Sequence, residues 1–252
     1  MHAKLNRPGG RKRRNPGRPA ANAQHAALSK ESIVAKGLEL CRGVALQELS
    51  VVRMARELGV TPALIHYYLG GREALTSGVM NCYYRELAEA LPQPSGDWQA
   101  DVAAVMRVIY DKQVKYAGIA AYVMTHNRYR LFQEVAPGET DYGVVYFDRL
   151  SGRVRQAGLN ASSTAMFVHL LLQHVLASAY QQTSRQLPGE HHAFLLSRLE
   201  HVDARERPDL HFVLEAFSSL DGGAAFEAGL ALLLDGIAAA RTTRREKRTR
   251  RL

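Results

Sequence analysis

The side chains best equipped for chemistry fall within one stretch, SVVRMARELGVTPALIHYYLGGREAL, from Ser50 to Leu75. Thr61, His66, Tyr67, Tyr68 and Arg72 bring hydroxyl, imidazole, phenol and guanidinium groups, with Pro62 and Ala63 as small apolar neighbours. Such groups can hold phosphate oxygens and read the edges of bases. Thr61, Ala63 and His66 suit base edges, and Pro62 or Tyr67 suits a thymine methyl. Tyr67, Tyr68, Arg72 and the backbone N–H groups at the Thr61 helix start suit phosphates. Ser50, the cap of the preceding helix, completes this set.

Two short helices and a tight turn must position them. Ser50 is a favourable N-cap, and Val51, Met54, Ala55 and Leu58 follow at helical spacing. Gly59 then stands where a left-handed residue ends the helix. Thr61 is a second N-cap, with Pro62 in the first helical position, where its missing N–H costs nothing. The helix over 63–68 spans under two turns, too short to persist alone, since isolated helices below ~12 residues are marginal in water. Val60, Ile65 and Leu69 are therefore expected to clamp it onto the Val51/Ala55 face, leaving the chemical groups outside. An ordinary helical hairpin would share the pattern. A glycine-containing turn presenting a short second helix is also the helix-turn-helix shape that fits a DNA major groove.

The order Ala55, Gly59, Val60, Thr61, His66-Tyr67-Tyr68, Arg72, Ala74-Leu75 resembles the DNA-binding half of the TetR (tetracycline-repressor) family of bacterial regulators. His66 stands where that family usually has tyrosine, and Arg72 where it usually has lysine. Farther on, Asp97-Trp98, Ala157-Gly158-Leu159 and the segment FEAGLALLLDGI from Phe226 to Ile237 resemble the tetracycline-repressor branch. The likeness extends over about residues 30–240. It implies a homodimer built on the last helix and the 161–185 helix, a small-molecule pocket in each subunit, and a palindromic DNA operator. A dimer also has a physical reason, because one short helix reads too few base pairs to select a genomic site.

The net charge of +9 is unevenly spread. Residues 1–29 carry +7 and residues 241–252 carry +6, which leaves the body at −4. The first segment has no apolar period and is expected to be a disordered basic arm. Its Gly17-Arg18-Pro19 core, with Arg13 nearby, resembles an AT-hook, although Pro16 replaces the arginine expected before the glycine. Arg13 and Arg18 are thus candidates for DNA contact, more as a phosphate clamp than as base readers. The head, 30–75, has six Lys/Arg against five Glu, so the arm is expected to supply much of the electrostatic attraction.

The remaining elements read as an all-α body over 76–240 followed by a basic tail. A helix from Ser29 to Arg42 braces the pair in the head. One from Arg72 to Leu91 begins in the head and ends in the body. Further helices are expected from Asp97, over 118–126, 140–157, 161–185, 208–220 and 224–240, with 127–140 irregular and 187–206 undecided. Asp221-Gly222-Gly223 is read as a break. In the last helix Phe226, Leu230, Leu233 and Ile237 form a narrow seam suited to pairing between subunits. Candidate pocket residues are Met106, Ile109, Tyr122, His126, Phe147, Met166, Leu170 and His174, together with Met124, Phe132 and Tyr146. Such a set is more often plain core than a ligand cage. Tyr122, His126 and His174 are the polar anchors.

No nucleophile elbow, phosphate-cradling glycine loop, dinucleotide fingerprint or Cys-x-x-Cys occurs, so an enzyme, a metal site or a cofactor is not expected. His191, His192 and His201 lie in a polar connector and are read as solvated. Cys41 and Cys82 read as buried apolar groups. No uninterrupted apolar run approaches the ~18 residues of a membrane span, and no export signal is apparent, so a cytoplasmic, nucleoid-associated protein is expected. The competing class is a ligand-independent architectural DNA-binding protein acting through its tails. It would show a steep salt dependence and little sequence preference.

Overall fold

The structure is a computed structural model, and it describes residues 28–126 and 129–249, with the side chains of 243–249 left aside. The basic arm with Arg13 and Arg18, and the last residues of the tail, lie outside that range.

Among the described residues the chain is all-α, as its periodicity dictates. The head comprises α1 (Lys30–Leu40), α2 (Val51–Leu58) and α3 (Pro62–Leu69), with a 3-10 turn at Leu46–Glu48 leading into α2. Ser29 caps α1 in a reciprocal arrangement: its Oγ accepts from Ser32 N, and Ser32 Oγ accepts from Ser29 N. Ile33, Val34, Leu38 and Cys41 point into the head core, as their spacing predicts. Burial pushes the Cys41 thiol up to about 12, so this cysteine behaves as an apolar group.

The body follows as α4 (Arg72–Ala90), α5 (Trp98–Lys115), α6 (Ala117–Thr125), α7 (Tyr142–Arg155) and α8 (Ala161–Thr183). Asp97 caps α5, its carboxylate accepting from Gln99 N and Ala100 N. The first half of α4 packs on α1 and its second half on α7, so one rigid rod belongs to both head and body. At the centre of the body, α8 touches α5, α6, α7 and the last helix.

Residues 184–221, partly undecided from sequence, form a 3-10 turn at Pro188–His191 and two helices, α9 (His192–Leu199) and α10 (Pro208–Ser218). His201 is exposed as expected, but His191 and His192 are not simply solvated. His191 Nε2 lies 2.9 Å from Arg185 O, and His192 Nδ1 lies 3.0 Å from Ser218 Oγ.

The last helix, α11, runs Gly222–Thr249. The expected break at Gly222-Gly223 is instead its first turn, because Asp221 Oδ1 accepts from Ala224 N at 2.8 Å and caps it. The backbone also stays helical past Ala240 into the basic tail. Its segment Gly222–Thr242 is long and apolar enough to cross a membrane by length and composition, with a mean hydropathy of 1.5 and 17% of an 18-residue stretch of it buried. Two acids, Glu227 and Asp235, do not break that run. An apolar helix this open needs a cover.

Candidate nucleic-acid interface and internal cavity

The turn between α2 and α3 is closed by backbone geometry. Gly59 sits at φ +67°, and Val60 N donates to Ala55 O at 2.9 Å, satisfying a carbonyl at the end of α2. Thr61 Oγ1 accepts from Leu64 N, and Pro62 opens α3. Ile65 is fully buried and Leu69 nearly so, with Val60 packed beside them. Held by these anchors, α3 leaves Thr61, Pro62, Ala63 and His66 exposed, and Tyr67 is 82% exposed.

Three members of the expected set are placed differently from the rest. Tyr68 is half-buried and meets the Tyr67 ring edge-on at 5.3 Å, so it braces Tyr67 more than it reaches outward. Ser50 Oγ is occupied as an acceptor by Arg53 N, which leaves its hydroxyl proton to give. Arg72 Nη2 donates to Gln47 O at 2.6 Å, tying the start of α4 to the 3-10 turn.

The head and the shared helix α4 are tied to the rest of the body at several points. Gly118 N donates to Cys41 O at 2.8 Å. Lys30 pairs with Glu139, which holds the Glu139 carboxyl below its usual range. Asn81 Nδ2 donates to Thr140 O, while Tyr142 N donates to Asn81 Oδ1 at 2.8 Å. Replacing Asn81 by alanine leaves two backbone groups without that partner. It should cost about 1 kcal/mol, a fall of about 2–4 °C in Tm for a chain of this size, measurable by calorimetry. Arg130 Nη1 lies 2.6 Å from Glu73 in the first turn of α4. An open groove of about 510 Å³ between α1, α4 and residues 134–142 is lined by charged groups, among them Lys30, Glu31, Arg85 and Glu139.

A second cavity, of about 360 Å³, lies within the body. Tyr84 and Leu87 of α4, Ile109 and Gln113 of α5, Val123 of α6, residues 129–131, Tyr146 of α7 and His169, Leu172, Gln173 and Leu176 of α8 form its wall, with His126. Being mostly apolar with a few polar groups, it has the character of a small-molecule site, whereas the charged groove does not.

Of the pocket residues expected from sequence, Ile109, His126 and Tyr146 are on this wall. Tyr122 stands behind it: its ring stacks on His126 at 4.4 Å, and its hydroxyl accepts from Arg130 Nε at 3.1 Å. Met106 is buried in the core. Phe147 meets Phe132 edge-on beside a separate shallow depression. Met124 and Met166 are exposed, and Leu170 is half-buried off the wall. His174 Nε2 lies 2.9 Å from Phe226 O, and its ring stacks on Phe226, so it serves the α8–α11 contact. The error on α8 is one of phase. The stripe 166/170/174 is displaced by one residue, roughly 100° of rotation, from the 169/173/176 face that lines the cavity.

Gln113 and Arg130 were missed. Gln113 had a legible signal, since it follows Met106 by seven and Ile109 by four positions on an otherwise apolar face. Arg130 had none, because its segment has no period.

The seam on α11 also requires correction. Phe226, Leu230 and Ile237 are buried in their own chain, and Leu233 is half-buried. Phe226 stacks on Tyr110 of α5 at 4.3 Å. A regular apolar spacing marks a buried stripe without saying which helix buries it. The face left open carries Ala225, Ala228, Leu232 and Gly236, with Leu232 74% exposed.

Comparison with known proteins agrees with this architecture. Residues 91–241 match the family described as tetracyclin repressor-like, C-terminal domain. The HTH-type transcriptional regulator BetI of Brucella anthropi is 27% identical over 142 residues, spanning 52% of this chain and 73% of that protein. Apo ActR from Streptomyces coelicolor superposes with a TM-score of 0.68 at 26% identity, over 85% of this chain and 98% of ActR. ActR in complex with actinorhodin gives 0.69 at 25% identity over the same shares. SCO7222 from the same organism, at 22% identity and a TM-score of 0.65 over 85% of this chain and 99% of that one, shares the fold. The helix-turn-helix head, the all-α body and these matches together place the chain in the TetR family of transcriptional regulators.

Proposed function

We propose that the protein is a ligand-responsive repressor, not an enzyme, that binds a palindromic operator as a homodimer in the cytoplasm and releases it when a small molecule enters the 360 Å³ cavity. The observation that carries this reading is the presentation of α3: Ile65 and Leu69 are locked inward while Tyr67 is 82% exposed beside Thr61, Ala63 and His66. Nothing in the head covers those groups, and a phenol held out by a rigid turn needs a partner to justify its exposure. In support of the ligand, ActR has been crystallised with actinorhodin. In support of the dimer, α8 and α11 pack together and each leaves a large apolar side chain exposed, Met166 on one and Leu232 on the other. Two copies related by a twofold axis would cover both.

Replacing Tyr67 by alanine should weaken operator binding by about tenfold, near 1–2 kcal/mol, without altering the dimer. Footprinting of the DNA flanking the protein's own gene, at raised salt and with both wild type and this variant, tests the reading. A discrete footprint that survives salt and weakens with Tyr67→Ala supports it. Uniform protection with a steep salt slope would instead favour binding through the basic tails.

A further inference from the structure

Taking the body cavity as the effector site, we propose that it selects a flat, largely apolar molecule carrying a negatively charged oxygen, with Arg130 reading the charge and Gln113 a second polar group. Gln113 is 3% exposed, lies on the cavity wall, and its buried side-chain oxygen Oε1 has no hydrogen-bond partner. A buried amide oxygen without a partner is a standing cost that the right ligand removes. Because an amide can be turned over, Gln113 can either donate to a ligand oxygen or accept from a hydroxyl.

The charge on the wall has one sign. Arg130 is 9% exposed, and His126 and His169 are the other basic groups. Among the described residues of the wall there is no Asp or Glu. A cationic ligand would therefore meet no carboxylate, whereas an anion meets a guanidinium in a poorly hydrated setting, where charge-assisted hydrogen bonds are strong. Arg130 Nε donates to Tyr122 and Nη1 lies 2.6 Å from Glu73, which fix the guanidinium at the wall. The flatness follows from the walls. Tyr84 stacks on Tyr146 at 5.5 Å, both on the lining, and His126 lies stacked on Tyr122. Aromatic faces of this kind favour a planar ring system.

The test is calorimetric titration of the full chain with 3-hydroxy-2-naphthoate and with its methyl ester, which keeps ring and hydroxyl but loses the charge. The acid should bind at least tenfold tighter than the ester. Arg130→Gln should abolish that preference by weakening the acid alone. If this variant does not fold, Arg130→Gln combined with Glu73→Gln, which removes both members of that ion pair, takes its place. Gln113→Leu should weaken both compounds severalfold while keeping or raising the Tm, an outcome that a purely structural glutamine would not produce. An ester that binds as tightly as the acid, no binding of either, or an acid indifferent to Arg130 would overturn the proposal. Operator release is read in parallel: Arg130-dependent binding that leaves DNA affinity unchanged would uphold the ligand class and remove the regulatory reading.

Discussion

Gly118→Ala should lower stability by about 3 kcal/mol or more, roughly 6–12 °C in Tm for a chain of this size, and weaken operator binding with it. A Cβ at position 118 would lie 1.8 Å from Val44 O and 2.9 Å from Cys41 O. These are backbone atoms that cannot rotate away, so α1 and α6 would have to separate by more than an ångström. Separation breaks the bond from Gly118 N to Cys41 O. That bond joins a carbonyl left over at the end of α1 to an N–H left over at the start of α6, so each helix supplies the other's missing partner. The ends that meet carry opposite partial charges, negative at the C-terminus of α1 and positive at the N-terminus of α6. Since this contact sets how the head sits on the body, the loss should appear in DNA affinity as well as in Tm. Gly152→Ala provides the contrast. It lies within α7, and a Cβ there would meet nothing within 4 Å. It should be neutral or stabilise by up to about 1 kcal/mol, because alanine is the better helix former. Calorimetry of the two variants side by side checks both statements, and equal Tm values would refute the steric account.

Leu232→Glu is expected to dissociate the proposed dimer and, with it, to abolish operator binding at concentrations where wild type binds. Leu232 is 74% exposed in the protomer, amid Ala225, Ala228 and Gly236. In a twofold interface the same patch serves both subunits, so one substitution counts twice. A carboxylate forced into an apolar contact costs about 2 kcal/mol or more per copy, which for two copies weakens dimerisation by about three orders of magnitude. Helix content should be unchanged, because the side chain is already open to water in the monomer. Sedimentation at micromolar concentration distinguishes the outcomes: a dimer that persists places the interface on another face. Substitution of Leu230, which is 1% exposed, should instead unfold the body.

The reading head was legible in the sequence because its determinants are local. Ser50, Gly59, Thr61 and Pro62 act on their own backbone within four residues, by capping, by a left-handed φ and by a preset φ. The spacing of Val51, Ala55, Ile65 and Leu69 then leaves only one way to bury the apolar faces, so which side of α3 faces outward follows with little else. Helix order in the body was legible for the same reason, down to the Asp97 cap.

Partner choice was not local, and it was decided by the tertiary structure. Periodicity showed that Phe226, Leu230 and Ile237 share a face, yet only the approach of α5 and α8 assigned that face to the protomer's own core and left Leu232 outside. On α8 a rotation of one residue exchanged Leu170 and His174 for His169 and Gln173 on the cavity wall, because neighbouring helices, not the sequence of α8, set its roll. Arg130, in a segment without any period, was brought to the cavity by Glu73 and Tyr122, which precede it by 57 and 8 positions. A residue's own neighbours determine its backbone; what its side chain touches is determined by helices that arrive from elsewhere in the chain.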